Sequence, residues 1–194
     1  MTDHHKFPLL AGSLSLDLVN TELVRRGRRY ELLLTEADLL HWVDTMLGEG
    51  TLYKASLGSR SIQTEQEFQQ VLEFRAIVRE HFESIAAGEE IAEDFIALLE
   101  RSIEKAPFQY KLLSGHLVPV PAGETAADVL IALAAYDALS LMAQSKLGTL
   151  KHCSNPDCVL LFMDDSGKRK WCSMKICGNR SKAARFKSQK SSNA

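Results

Sequence analysis

Four residues dominate the chemistry available to this chain. Cys153-x4-Cys158 is followed by thirteen residues and then Cys172-x4-Cys177, and these are its only cysteines. Thiolates are soft ligands that favour zinc, and two close pairs can converge on one tetrahedral ion without a large core around them. The spacing therefore predicts one Zn2+ on Cys153, Cys158, Cys172 and Cys177. A four-thiolate site leaves no coordination position for water or substrate, so such a metal is structural. Two disulfides or an iron–sulfur cluster use the same residues. The opening Met1-Thr2-Asp3-His4-His5-Lys6 lacks a secretory leader pattern, which argues against disulfides and for a cytoplasmic location.

The elements around the cysteines must bring them together. Val159-Leu160-Leu161-Phe162-Met163 reads as a short apolar strand, and Asp164-Asp165-Ser166-Gly167 as a turn into Lys168-Arg169-Lys170-Trp171, which predicts a hairpin. Past Cys177, Gly178 and Asn179 can turn the chain into a helix from about Arg180, with Ala183, Ala184 and Phe186 facing inward. A knuckle, a hairpin and a terminal helix make a treble-clef-like finger over residues 148–190, followed by a disordered tail at 191–194. A segment this small has too little core to fold unaided, so the metal is expected to supply folding free energy. Trp171 is expected to pack beside the metal. Asn179 is assigned to a cap or to a hydrogen bond on a thiolate.

Charge is divided unevenly along the chain. Residues 151–194 contain ten Lys or Arg against three Asp, whereas the preceding 150 contain thirteen against twenty-two acidic residues. The formal net charge of -2 hides this contrast. Lys168, Arg169, Lys170, Arg180, Lys182, Arg185 and Lys187, with Asn179, form a candidate nucleic-acid surface, because cations set against phosphates release condensed counterions. Arginine and asparagine can also pair with guanine and adenine edges. The bland reading is a solubilising face, and a third is a finger that binds a protein partner, or the acidic body itself as an autoinhibitory cover.

Residues 1–147 are long enough for one core, and their patterning predicts a mostly helical α+β domain with a small β-hairpin. Helices are expected over 14–24, from Thr35-Glu36-Ala37-Asp38 onward with a capping box, over 64–87, over 90–105 and over 125–144. Residues 110–113 and 117–120 flank Ser114-Gly115-His116 as the hairpin. No segment is expected to span a membrane. Asp17, Asn20 and Thr21 share a face of the first helix, with Arg75 and Arg79 as candidate partners of Asp17. This set serves either a ligand, small molecule or protein, or a buried polar network, and the network is the more economical reading. The run from Arg25 to Arg29 is basic as well.

Two motifs carry a resemblance. Trp171-Cys172-Ser173-Met174 and Cys177-Gly178-Asn179-Arg180-Ser181-Lys182 resemble the motif of the CGNR zinc-finger family of bacterial proteins. Members of that family carry an N-terminal domain described as a stress-induced transcription regulator, with a Leu-Asp-Phe-Val-Asn-Thr-like motif near its start. This chain has Leu16-Asp17-Leu18-Val19-Asn20-Thr21, with Leu18 in place of the aromatic. The resemblance implies a regulator that binds DNA. So small a finger reads few bases, so a homodimer on two half-sites is expected, with the N-terminal domain as its dimerisation or signal-sensing part. No P-loop, Gly-x-Gly-x-x-Gly, His-Glu-x-x-His or Gly-x-Ser-x-Gly pattern occurs, so no enzyme is expected.

Overall fold

The computed structural model describes residues 7–10, 12–25, 28–113 and 115–183. Among these residues six α-helices, α1 (Leu14–Val19), α2 (Glu36–Gly48), α3 (Lys54–Leu57), α4 (Glu65–Ala86), α5 (Glu93–Glu104) and α6 (Ala126–Ala143), build the body. Three two-stranded antiparallel sheets accompany them: β1 (Glu22–Arg25) with β2 (Arg28–Glu31), β3 (Phe108–Leu113) with β4 (His116–Pro121), and β5 (Leu150–His152) with β6 (Leu161–Met163). The mostly helical α+β architecture and the four-cysteine finger agree with the sequence reading.

The long helices begin where local chemistry sets them. Thr35, Thr64 and Thr125 each accept from the amide three residues on, and Asp38, Glu67 and Asp128 return a bond to the cap, giving three capping boxes. Glu67 also accepts from the amide of Ala126 at 3.2 Å, so the starts of α4 and α6 are tied together.

At the centre, α6 is apolar all round. Ala127, Val129, Leu130, Ala134, Ala135 and Ala138 are buried, and the small alanines let neighbouring helices approach closely. Its length and hydropathy suffice by composition to cross a membrane, but over half of it is buried in the protein core. The short, wholly buried α1 lies against α4 and α6. Asp137 of α6 accepts from the Ser13 hydroxyl (2.6 Å), the Ser15 amide (2.9 Å) and the Ser15 hydroxyl (2.5 Å), fixing the start of α1.

Two expectations are corrected. The first helix stops at Val19, not at 24, because Asn20 and Thr21 leave it and the chain enters β1. That adds a second hairpin to the body, on whose strands Arg28 and Arg29 are exposed. Strand β6 pairs with β5, upstream of the first cysteine, rather than with residues 168–171. The finger is also continuous with the body: Leu147, Leu150 and Leu161 belong to the main core.

Candidate metal centre and nucleic-acid interface

The first cysteine pair sits on a tight knuckle after β5, closed by the Cys158 amide donating to the Asn155 carbonyl at 2.9 Å. The second follows residues 164–171, whose path is set by Asp164. This buried carboxylate accepts from the Ser166 hydroxyl (2.7 Å), the Lys151 ammonium (2.9 Å) and the Arg169 amide (2.9 Å). The Ser166 bond is the main cause, with Lys151 and the Arg169 amide, that holds its carboxyl well below the usual carboxylate range despite burial.

Cys177 lies in a wide helical turn, Met174–Gly178, capped at its start by Ser173, whose hydroxyl accepts from the Ile176 amide. A Cβ at Gly178 would stand 2.4 Å from the Met174 sulfur, so any larger residue there needs the exposed Met174 side chain to swing aside. Residues 179–183 continue as helix.

The four Sγ atoms lie within 4.8 Å of one another, and those of Cys158 and Cys172 are 3.9 Å apart. A tetrahedral zinc with Zn–S bonds near 2.3 Å sets its sulfurs about 3.8 Å apart. None of the cysteines is in a disulfide. Without a cation the four sulfurs cannot all be thiolates. A hydrogen bond from the Cys172 thiol, with the Leu160 amide and further thiols, pulls Cys158 down to about 5 against burial. Donating that bond, burial and the neighbouring sulfurs push Cys172 far up, while burial chiefly pushes Cys177 to about 11. One thiolate is therefore tolerated and four are not, unless a divalent ion compensates the repulsion. The donor set fits a metal.

The groups oriented on the sulfurs differ from expectation. The Asn155 amide donates to Cys177 Sγ at 3.5 Å, and the Cys172 backbone amide lies 3.4 Å from Cys153 Sγ. Asn179, assigned from the sequence to a cap or to a thiolate, is exposed just past that turn, where its backbone amide donates to the Met174 carbonyl. Nothing in the cysteine spacing marks Asn155, although its place inside the first knuckle keeps it near the metal. Trp171 packs against the finger core, as expected.

Four of the five polar residues of the body, Asn20, Thr21, Arg75 and Arg79, serve a structural clamp. Asn20 donates to the Leu161 carbonyl (2.9 Å) and accepts from the Leu161 amide (3.0 Å), reproducing a strand partner for β6. Arg79 donates to the Val19 carbonyl (2.8 Å) and the Val159 carbonyl (2.6 Å) and pairs with Glu83 (2.9 Å). Arg75 reaches Thr21 (2.8 Å) and forms a two-pronged pair with Glu31 (2.7 and 2.5 Å). The expected pairing with Asp17 is replaced by these glutamates. Asp17 instead accepts from the Leu10 amide at 3.0 Å, folding residues 7–10 over α1. Burial raises the Glu31 carboxyl, but Arg75 and the Leu33 amide outweigh it and leave it below its ordinary value.

Of the basic residues, Lys168, Lys170, Arg180 and Lys182 are exposed, and the acidic body does not cover them. Arg169 is engaged. It donates to the Met163 carbonyl (3.1 Å) and the Cys172 carbonyl (2.5 Å), with its guanidinium 4.6 Å from the centre of the Phe162 ring. Arg185, Lys187 and the 191–194 tail lie outside the described residues, as do His4 and His5.

Fold and site together define a helical body clamped to a four-cysteine finger. Residues 12–145 match the family model described as "Putative stress-induced transcription regulator". Residues 149–190 match that of the CGNR zinc finger. The chain thus belongs to the stress-induced transcription regulator family of that description and carries a CGNR zinc finger at its C-terminal end. No curated protein matches it.

Proposed function

We infer that this protein is a cytoplasmic DNA-binding regulator whose finger is built on one structural Zn2+ at Cys153, Cys158, Cys172 and Cys177. The observation that carries this reading is the set of exposed cations, Lys168, Lys170, Arg180 and Lys182, on a finger whose Leu150 and Leu161 are buried in the main core. Zinc, when bound, supplies charge compensation and folding free energy, and a closed four-thiolate set offers no position for substrate. Binding rather than catalysis is the role.

A finger this small reads few bases, so specific binding calls for two copies on two half-sites. The β3–β4 hairpin supports a homodimer: Leu112 and Leu117 are cross-strand partners, 74% and 66% exposed, and Tyr110 stands beside them on the same face. Leu112→Lys should convert a dimer into a monomer in sedimentation.

The test of DNA binding is fluorescence anisotropy of full-length, zinc-loaded protein with duplex DNA, RNA and a polyanion control across a salt series. Tighter binding to duplex, with a steep salt slope lost on chelation, is expected. Absence of binding at low salt with zinc in place would favour a finger that recognises a protein partner.

A further inference from the structure

A cavity of about 590 Å³ opens where residues 7–10, strand β1 and the finger meet. Its wall is apolar, formed by Leu10 and Leu23 from the body and Leu160 and Ile176 from the finger. Lys175 and Arg180 stand on the finger side, and Glu49, just past the end of α2, on the body side. Ser173 adds a hydroxyl that already accepts from the Ile176 amide. Among the described residues, Lys175 and Arg180 have no acidic partner, and both are exposed.

The size lies within the range of small-molecule sites, which are mostly apolar with a few placed polar groups and occur where two parts of a protein meet. Two cations against one carboxylate give the cleft a net positive charge. The apolar wall takes the body of a ligand and the finger-side cations take its charge. We propose that this cleft binds an amphipathic organic monoanion, of the aromatic carboxylate class. Resting on the DNA-binding reading, a consequence follows. Arg180 lines the cleft and is also one of the exposed cations assigned to DNA, so an anion beside it opposes phosphate binding, and DNA and ligand weaken each other by the same factor.

The probes are 2-naphthoate, its neutral amide and inorganic phosphate, titrated calorimetrically into full-length, zinc-loaded protein without DNA. One naphthoate per chain is expected, bound at least tenfold more tightly than the amide, with no heat from phosphate. Lys175→Glu should weaken naphthoate tenfold or more and leave the amide unchanged, and Leu23→Trp, which fills the wall, should abolish both. Equal affinity for naphthoate and amide, or binding retained in Leu23→Trp, would overturn the site. Because these titrations need no DNA, they stand whether or not the finger binds duplex. Anisotropy then reads the coupling: naphthoate should raise the Kd for duplex in the wild type and not in Leu23→Trp. An unchanged Kd with naphthoate bound would refute the coupling alone.

Discussion

Asn20 shows how a polar residue just past the end of an apolar helix can be structural. Its amide satisfies both backbone groups of Leu161, a residue 141 positions away and fully buried. Asn20→Ala leaves a buried donor and a buried acceptor without partners, at a cost of about 2 kcal/mol. Urea unfolding of the zinc-loaded protein should show that loss as a lower midpoint, and an unchanged midpoint would remove Asn20 from the clamp. Arg169 and Lys170 make a second contrast. Arg169→Ala deletes two bonds to carbonyls and a ring contact, and should lower the thermal midpoint of the finger. Lys170→Ala should leave that midpoint in place and reduce the slope of log K against log salt on duplex DNA by about one. The sequence marks both as cations. Which one is engaged depends on where the turn at 164–167 directs the chain, and that is set by tertiary contacts of Asp164.

At the scale of elements, legibility follows the range of the signal. The starts of α2, α4 and α6 are written in residues three apart, and the structure starts each helix there. The β1–β2 hairpin is not, because its strands are held by Arg75 of α4, over forty residues further on. The misassigned partner of β6 has the same cause: two short strands compete for it, and burial of Leu150 and Leu161 in the main core decides between them. The Arg75–Glu31 pair gives the hairpin a pH dependence. Glu31 titrates below its ordinary value of 4.5 in the folded protein, so its contribution is complete above that value and is lost as the pH falls through the folded pKa. Glu31→Gln should therefore destabilise the protein at pH 7 by about 2 kcal/mol, allowing for the partial exposure of the glutamate. It should also flatten the fall in stability below pH 5. Parallel wild-type and mutant curves over that range would show that Glu31 does not carry the effect.

For the whole molecule, both sequence motifs are legible as patterns, and their union is not. Nothing in the order of residues shows that Leu16-Asp17-Leu18-Val19-Asn20-Thr21 and the finger form one packed unit. The pairing emerges only when α1 lies across α4 and Asn20 and Arg79 meet the strand after Cys158. This alters the thermodynamic expectation for the metal. A self-sufficient finger would draw all its folding free energy from zinc. Here Leu147, Leu150 and Leu161 are buried in the main core, and the backbone of Leu161 is satisfied by Asn20. An excised fragment of residues 148–190 exposes Leu150 and Leu161 to water and loses both bonds, so part of its zinc-binding free energy goes into ordering what the body orders in the intact chain. Its zinc affinity should be at least tenfold weaker than that of the full chain, about 1.4 kcal/mol, in competition with a chromophoric chelator. Full-length Asn20→Ala should fall between the two. Identical affinities for fragment and full chain would mean that the finger closes around its metal without help, and that the clamp serves only to orient it.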